Sequence, residues 1–383
     1  MRHSLVAVIV FVSVAVADEP VPKPAPAEPV TAAELDAATK KGVAFLLKAQ
    51  NDDGSFGGPE KTKGLNIMAS VPGSHQAFQT ATTALSIAAL IETGGDSAAV
   101  KSAIDKAESW LFERLPKLKR ATPMELYNVW GHAYAIQALV RMHGRLPDDA
   151  ARKAKIEELI RSQFEALTKY ESVDGGWGYY DFRAGTQHPA SDSTSFVNAA
   201  VLVAFHEAKA MGQEPPAKIV DRALAATRRQ RKGDFTYFYG EYLKYQPLMP
   251  INRPGGSLGR SQACNVALRL WGDDKVTNEV MTTWLDRLIQ RNGWLSNGRK
   301  RPIPHEAPFQ VAGYFYYFGH YYAGLCVQQL PEKDRPFYQD HLARLLLPLQ
   351  EPDGSWWDYP LYNYHQPYGT SFALLTLKDC RKK

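Results

Sequence analysis

The sequence predicts an all-α protein in which six helix pairs, arranged as two concentric layers, close into a barrel. Three observations carry that expectation. A glycine–aromatic turn recurs at Asp53-Gly54-Ser55-Phe56, Gly175-Gly176-Trp177, Gly233-Asp234-Phe235, Asn292-Gly293-Trp294 and Asp353-Gly354-Ser355-Trp356. From Trp177 onward the aromatic positions are 58, 59 and 62 residues apart, while Phe56 to Trp177 spans 121, or two such intervals. Trp110 with Tyr127 to Gly131 fills the vacant second place, which makes six units, and a period of this length marks stacked or ring-closed helical repeats. The second observation is that each interval reads as two helices. The third is that the two differ in character, one amphipathic and one almost free of charge.

Taken in order, the chain begins with Arg2 before an apolar run from Leu5 to Val16, and Ala15-Val16-Ala17 supplies the small-x-small pattern of a cleavable secretory leader. Twelve apolar residues are too few for a helix to cross a hydrocarbon core of about 30 Å. Residues 1–17 therefore read as an export signal and the protein as secreted or periplasmic, with an uncleaved anchor as the alternative. Five prolines between Pro20 and Pro29 make residues 18–30 an extended tether. The repeats occupy 31–383 as one domain.

In the first unit, Ala32 to Gln50 sets Val43, Leu46 and Leu47 against Lys40, Lys41 and Lys48, the pattern of a helix with one wet face. Thr80 to Ile91 carries no charge, and Ala133 to Val140, Ser195 to Phe205 and Phe372 to Leu377 behave alike. Helices apolar on every side are buried ones. Alternation of the two kinds places six helices inside and six outside, with the turns and the starts of the inner helices around one mouth of the ring.

Composition excludes several function classes. With 45% hydrophobic and 22% charged residues the chain is neither a disordered polyelectrolyte nor a collagen. Its net charge of +5 is spread without a dense basic block, so nucleic acid is not an expected partner. Only Cys264, Cys326 and Cys380 are present, in no paired spacing, and Cys264 and Cys326 sit in apolar helical patterns as buried thiols.

Lys41-Gly42-x-x-Phe45-Leu46-x-x-x-Gln50-x-x-x-Gly54-x-Phe56 resembles the repeat of squalene and other triterpene cyclases, with Phe in place of the final Trp. Lys106-Ala107-x-x-Trp110-Leu111 matches its front half and Gln350-x-x-x-Gly354-x-Trp356 its back half, so the resemblance covers residues 31 to 379. It implies the α/α toroid shared by terpene cyclases, protein prenyltransferase β subunits and some exported proteins. The physical role expected of the motif is structural. The Gln amide bonds free backbone groups at a helix end, and the aromatic ring staples adjacent units.

The resemblance also directs attention to particular residues. Squalene-type cyclases protonate an alkene with the middle Asp of Asp-x-Asp-Asp-Thr, and Ala190-Ser191-Asp192-Ser193-Thr194 aligns Asp192 with that acid while lacking both flanking Asp. Helix capping is the competing role for Asp192. Prenyltransferase β subunits hold zinc through Asp-x-Cys and a distant His, and that pair is missing; no cofactor and no metal are expected. From the residues themselves, Gly131-His132 and Gly319-His320 recur at the starts of inner helices, and Tyr364-His365 precedes the last one. The repetition places His132, Asp192, His320 and His365 at one mouth as acid, base or ligand-binding groups, with structural histidines as the alternative. The richest polar and aromatic stretch is Pro304-His305-Glu306-Ala307-Pro308 followed by the Tyr- and Phe-rich run from Tyr314 to Tyr322.

Three functions remain open on this reading. One is a toroid whose cavity takes an apolar, isoprenoid-like or extended ligand, with cyclase-like acid chemistry at Asp192, His132 and His320 as its fullest form. The second is a carbohydrate-active lyase or hydrolase, in which Trp177, Tyr179, Tyr180, Trp357 and Tyr359 stack on sugars and Asp181, Glu306 and Asp358 supply the paired carboxylates such chemistry needs. The third is a scaffold that does no chemistry. In all three the expected partner is a small-molecule or polymeric ligand in the central cavity, lined by Trp177, Tyr180, Asp181, Glu306, Tyr314, Tyr317, Trp357 and His365, with no integral membrane segment once the leader is removed.

Overall fold

The computed structural model describes residues 21–182, 189–190 and 193–382. The expected leader, residues 1–17, lies outside them. Six helix pairs follow one another: α1 (Ala32–Ala49) and α2 (Gly73–Thr93), α3 (Ala98–Arg114) and α4 (Asn128–Arg145), α5 (Ala150–Lys169) and α6 (Ser195–Ala210), α7 (Ala217–Arg229) and α8 (Leu258–Leu270). The fifth pair is α9 (Asn278–Gln290) with α11 (Phe315–Gln328), separated by the short α10 (Asn292–Ser296), and the sixth is α12 (Arg335–Leu346) with α13 (His365–Asp379). Among the described residues there is no β-strand beyond isolated bridges. None of the helices is long and apolar enough to cross a membrane.

The second helix of each pair packs on its equivalents in the neighbouring units, α2 on α4, α4 on α6, α6 on α8, α8 on α11, α11 on α13 and α13 back on α2. That cycle is the inner wall. Its helices are apolar all round because both faces are covered: in α2 every residue from Thr82 to Leu90 is buried, and in α6 every residue from Ser195 to Phe205. The outer helices bury one stripe only. In α7 that stripe is Ile219, Val220, Ala223, Leu224 and Thr227, at helical spacing. Side chains cap several outer helices, with Thr31 and Glu34 forming a capping box at α1 and Ser97, Asp149 and Thr277 accepting from backbone N–H groups at α3, α5 and α9.

The turns staple the units together. Gln50 donates through Nε2 to the carbonyls of Ala103 in α3 (2.8 Å) and Gly54 (3.0 Å), and Gln350 donates to those of Ala38 in α1 and Gly354 (both 2.9 Å). The indole N–H groups of Trp177 and Trp356 return to the carbonyls of Leu167 and Leu346. Gly54, Gly175 and Gly354 all have φ between +91° and +99°, and a Cβ on any of them would meet a carbonyl oxygen of the next outer helix at 2.5 or 2.6 Å.

Two turns differ from the expected pattern. In the fourth unit Phe235 itself takes the left-handed place of the glycine (φ 60°), and Thr236 N–H bonds Asp234 as Ser55 N–H bonds Asp53. The buried staple there is therefore Tyr237. In the fifth unit Asn292-Gly293-Trp294 winds into α10, which leaves Trp294 40% exposed and Gln290 reaching only the Pro22 carbonyl at 3.4 Å.

Cys264, Cys326 and Cys380 are buried and unpaired. Residues 21–30 have no regular secondary structure and lie along the outer layer. Arg344 of α12 bonds the carbonyls of Glu28 and Pro29, Val30 N–H bonds Asp340, and Lys23 sits 4.5 Å from the centre of the Phe337 ring.

Candidate functional site: an aromatic cavity at the turn end of the ring

The first turns of the inner helices and the loops before them enclose a cavity of about 470 Å³. Helical spacing aims the lining inward: Phe78, Ala81, Thr82 and Leu85 from α2, Trp130 and Tyr134 from α4, Phe315 and Phe318 from α11, Tyr368 and Phe372 from α13. Phe196 at the start of α6 joins them, its ring centre 5.2 Å from that of Phe315 and 5.9 Å from that of Trp130. Loops add Asn66, Ile67, Met68, Tyr127, Tyr179, Tyr180, Pro304, His305, Tyr314, Tyr359 and Leu361. Of these 22 residues, 13 are Phe, Tyr or Trp, and none is Asp, Glu, Lys or Arg.

One corner of this wall is polar. The Tyr179 and Tyr239 hydroxyls are hydrogen-bonded to each other, Tyr239 Oη lies 3.3 Å from Tyr314 Oη, and Tyr314 Oη lies 3.0 Å from His305 Nε2. His305 Nδ1 in turn lies 2.8 Å from the Gln310 carbonyl. This arrangement is maintained against backbone strain: His305, Phe309 and Gln310 all have positive φ (65°, 56° and 55°), a conformation that costs about 1–3 kcal/mol at each non-glycine residue. Burial, reinforced by the nearby Arg260 charge and offset in part by the Gln310 carbonyl, holds the His305 imidazole below its usual range. Burial also pushes the hydroxyls of Tyr179, Tyr239 and Tyr314 well up, so all three are neutral.

Arg260 lies behind this corner on α8, fully buried and without a carboxylate partner among the described residues. Its guanidinium bonds the carbonyls of Gly256, Tyr237 and Ile251 and sits about 5.5 Å from the ring centres of Tyr239 and Phe315.

Of the residues singled out by sequence, the structure brings Tyr180 and Tyr314 into the cavity wall, together with Tyr179 and Tyr359. The others are placed elsewhere. His132 turns away from the cavity towards α5, its Nδ1 2.7 Å from Gln163 Oε1. Its neighbours Trp130 and Tyr134 line the cavity, and residues two apart on a helix face nearly opposite ways. His320 likewise faces α10, bonded to Asn292 and to the Tyr316 carbonyl, while Phe318 points inward. Burial depresses both imidazoles to about 4. His365 is held by the Tyr362 carbonyl and stands edge-on to Trp357, outside the lining.

Trp177 is the buried staple described above. Trp357 carries Lys63 and Lys300 over its ring and does not line the cavity. Tyr317 is fully buried, with its N–H given to Asp358.

The three carboxylates do not gather in the cavity either. Asp181 is buried in an ion pair with Arg120 at 2.8 Å, and Glu306 is exposed beside Arg301. Asp358 is fully buried behind Tyr368, whose hydroxyl donates to it at 2.5 Å, and burial pushes its carboxyl up to about 6. Asp192 lies outside the described residues. His305 and Phe318 lie in the polar and aromatic stretch the sequence marks out, whereas Trp130 and Phe196 have no place in the site as read from sequence. The i, i+4 pairing of Trp130 with Tyr134 was the available signal.

No protein-family model and no curated protein matches the chain. Solved structures do. An α-1,6-mannanase of Salegentibacter sp. HEL1_6 superposes with a TM-score of 0.55 at 12% identity, covering 90% of this chain and 98% of its own. A family 76 glycoside hydrolase from a bovine Bacteroides thetaiotaomicron strain gives 0.54 at 8% identity, over 90% and 77%. A D-mannose isomerase gives 0.55 at 14%, over 91% and 97%. At such identities the likeness shows the fold alone. The chain is an α/α toroid; the squalene-cyclase repeat family is not what these neighbours establish.

Proposed function

We propose that the protein is an exported toroid whose aromatic cavity binds a neutral, predominantly apolar ligand of isoprenoid-like character. The observation that supports this most is the lining itself, 13 aromatic residues of 22 with no charged side chain. A wall of this kind gains by removing apolar surface from water and offers an anion no cationic side chain to offset its desolvation. The volume falls within the range of about 300–1,000 Å³ of small-molecule pockets. Titration with the C15 hydrocarbon farnesene, read by native mass spectrometry, tests the proposal: a one-to-one complex weakened by Phe196→Ala or Phe318→Ala is the expected result. Absence of binding to the wild-type protein overturns it. The fullest form, alkene protonation by Asp192, requires a cyclised product from squalene that Asp192→Asn abolishes.

A carbohydrate ligand is the second reading. Support comes from the number of tyrosine hydroxyls around the mouth and from the D-mannose isomerase and mannanases among the structural neighbours. The same titration with manno-oligosaccharides decides between the two. For a hydrolase, the described lining residues lack the pair of carboxyls about 5–9.5 Å apart that the reaction requires.

A further inference from the structure

The polar corner of the cavity has a fixed hydrogen-bond direction, and that direction selects the ligand's oxygen chemistry. A carbonyl oxygen only accepts, so the contact between His305 Nδ1 and the Gln310 carbonyl at 2.8 Å requires the proton on Nδ1. Neutral imidazole carries one ring proton, and His305 is neutral because burial and Arg260 hold its basicity down. Nε2 is therefore a bare acceptor, and the Tyr314 hydroxyl 3.0 Å away must donate to it. Tyr314 has then spent its single hydrogen. The contacts of Tyr239 with Tyr314 and with Tyr179 need one hydrogen each, and only those of Tyr239 and Tyr179 remain. Both are consumed, leaving no hydrogen to point into the cavity.

The second tyrosine pair repeats the pattern. Tyr127 donates to the Met68 carbonyl at 2.9 Å, so its contact with the Tyr180 hydroxyl uses the hydrogen of Tyr180. Tyr368 is likewise committed to Asp358 at 2.5 Å, and Tyr359 turns its hydroxyl to the Pro302 carbonyl at a longer 3.5 Å. Six of the seven tyrosines in the lining thus have their hydrogens committed, Tyr134 on α4 being the exception. This is the reverse of an oxyanion-binding site, which aims donors at the ligand.

We infer that the cavity ligand is an alcohol, a long apolar skeleton ending in one hydroxyl that donates to the Tyr179–Tyr239–Tyr314 corner, and that the matching aldehyde or ketone is discriminated against. The inference rests on the apolar-ligand reading above and names its substrate class. A ligand oxygen that only accepts finds no partner at this corner and keeps its own desolvation cost, whereas a hydroxyl satisfies both sides.

The test uses three C15 probes of one skeleton at pH 8: farnesene without oxygen, farnesol with a hydroxyl, and farnesal with a carbonyl and the same heavy-atom count as farnesol. No lysine is among the described lining residues to trap the aldehyde. Farnesol should bind about tenfold more tightly than farnesal, and farnesal no more tightly than farnesene. Tyr314→Phe removes the acceptor of the Tyr239 hydrogen and frees one donor, so the variant should narrow the farnesol-to-farnesal ratio to about twofold or less by strengthening farnesal. Equal binding of farnesol and farnesal by the wild-type protein overturns the inference whether or not the variant folds, as does an unchanged ratio in a folded Tyr314→Phe protein. Failure of all three probes to bind overturns the apolar-ligand reading and this inference together; farnesene binding without discrimination between the other two overturns this inference alone.

Discussion

Gln350, just past α12, donates through Nε2 to the carbonyl of Ala38 in α1 at 2.9 Å, and this bond joins the last unit of the ring to the first across 312 residues of chain. The same amide also holds Gly354 O. Gln350→Ala leaves both carbonyls without that donor, and the expected cost is about 1–2 kcal/mol, read by denaturant unfolding. Gln290→Ala is the internal control. The exposed Gln290 amide reaches only Pro22 O at 3.4 Å, so a change below about 0.5 kcal/mol is expected. Equal effects would show that the seam is not held by this amide.

Gly54 makes a second kind of closure, because its backbone runs against that of α3. With φ at +91° and the Lys106 carbonyl oxygen 2.5 Å from where a Cβ would stand, Gly54→Ala meets both strain and a clash with main chain that has no rotamer to yield. About 3 kcal/mol of destabilisation is expected. Gly58→Ala, four residues on, meets nothing within 4 Å and should leave the unfolding midpoint unchanged.

The contrast between Gln350 and Gln290 also shows how far the sequence could be read. Spacing of the turns gave the number of units, and the charge-free segments gave the inner layer, since both are local signals with one physical cause. The assignment of Trp294 as a staple failed because α10 forms where the turn was expected. Phe235 was mistaken for Tyr237 because the left-handed place is taken there by a non-glycine residue. The site was less legible. His132 and His320 do begin inner helices, as read, but a helix has an outward face, and which residues take it depends on phase rather than on position along the chain. The hydroxyl chain joins Tyr179, Tyr239, Tyr314 and His305 from three separate units, and no local pattern encodes that meeting.

Asp358 gives a pH-dependent term whose sign can be worked out. Its folded-state pKa, about 6, lies above the unfolded value of 3.8, so between these values the folded protein holds the proton more firmly. Stability from this group is greatest below pH 3.8 and is lost as pH rises through about 6, a difference of about 3 kcal/mol. Asp379, at the end of α13 and also pushed up to about 6, adds to the trend. Asp358→Asn should therefore flatten the fall in stability between pH 4 and pH 7. The slope, rather than the stability at one pH, is the quantity to compare, because Asn cannot accept from both Tyr368 and Tyr317 N–H with the oxygens Asp358 uses. An unchanged slope would place the titration elsewhere.

Acidification should reverse the polarity of the cavity corner. The groups facing His305 are the Gln310 carbonyl on its own loop, Tyr314 before α11, Tyr239 on the loop after α7, and Arg260 of α8. Its pKa is depressed below 6.5, so the neutral form prevails at pH 8 and the proton enters only at more acid pH. Because the unfolded chain binds that proton first, His305 contributes stability at high pH that is lost as pH falls through its folded pKa, opposite in sign to Asp358. Once Nε2 is protonated it donates to Tyr314, and the three phenols then hold three hydrogens for two mutual contacts. One hydrogen becomes free to point into the cavity. Farnesal affinity should accordingly rise on acidification while that of farnesene stays level, and His305→Phe, which cannot take up the proton, should abolish the rise. A farnesal affinity that stays flat after the His305 imidazole has taken up its proton, followed by NMR on the folded wild-type protein, would show that the corner does not turn.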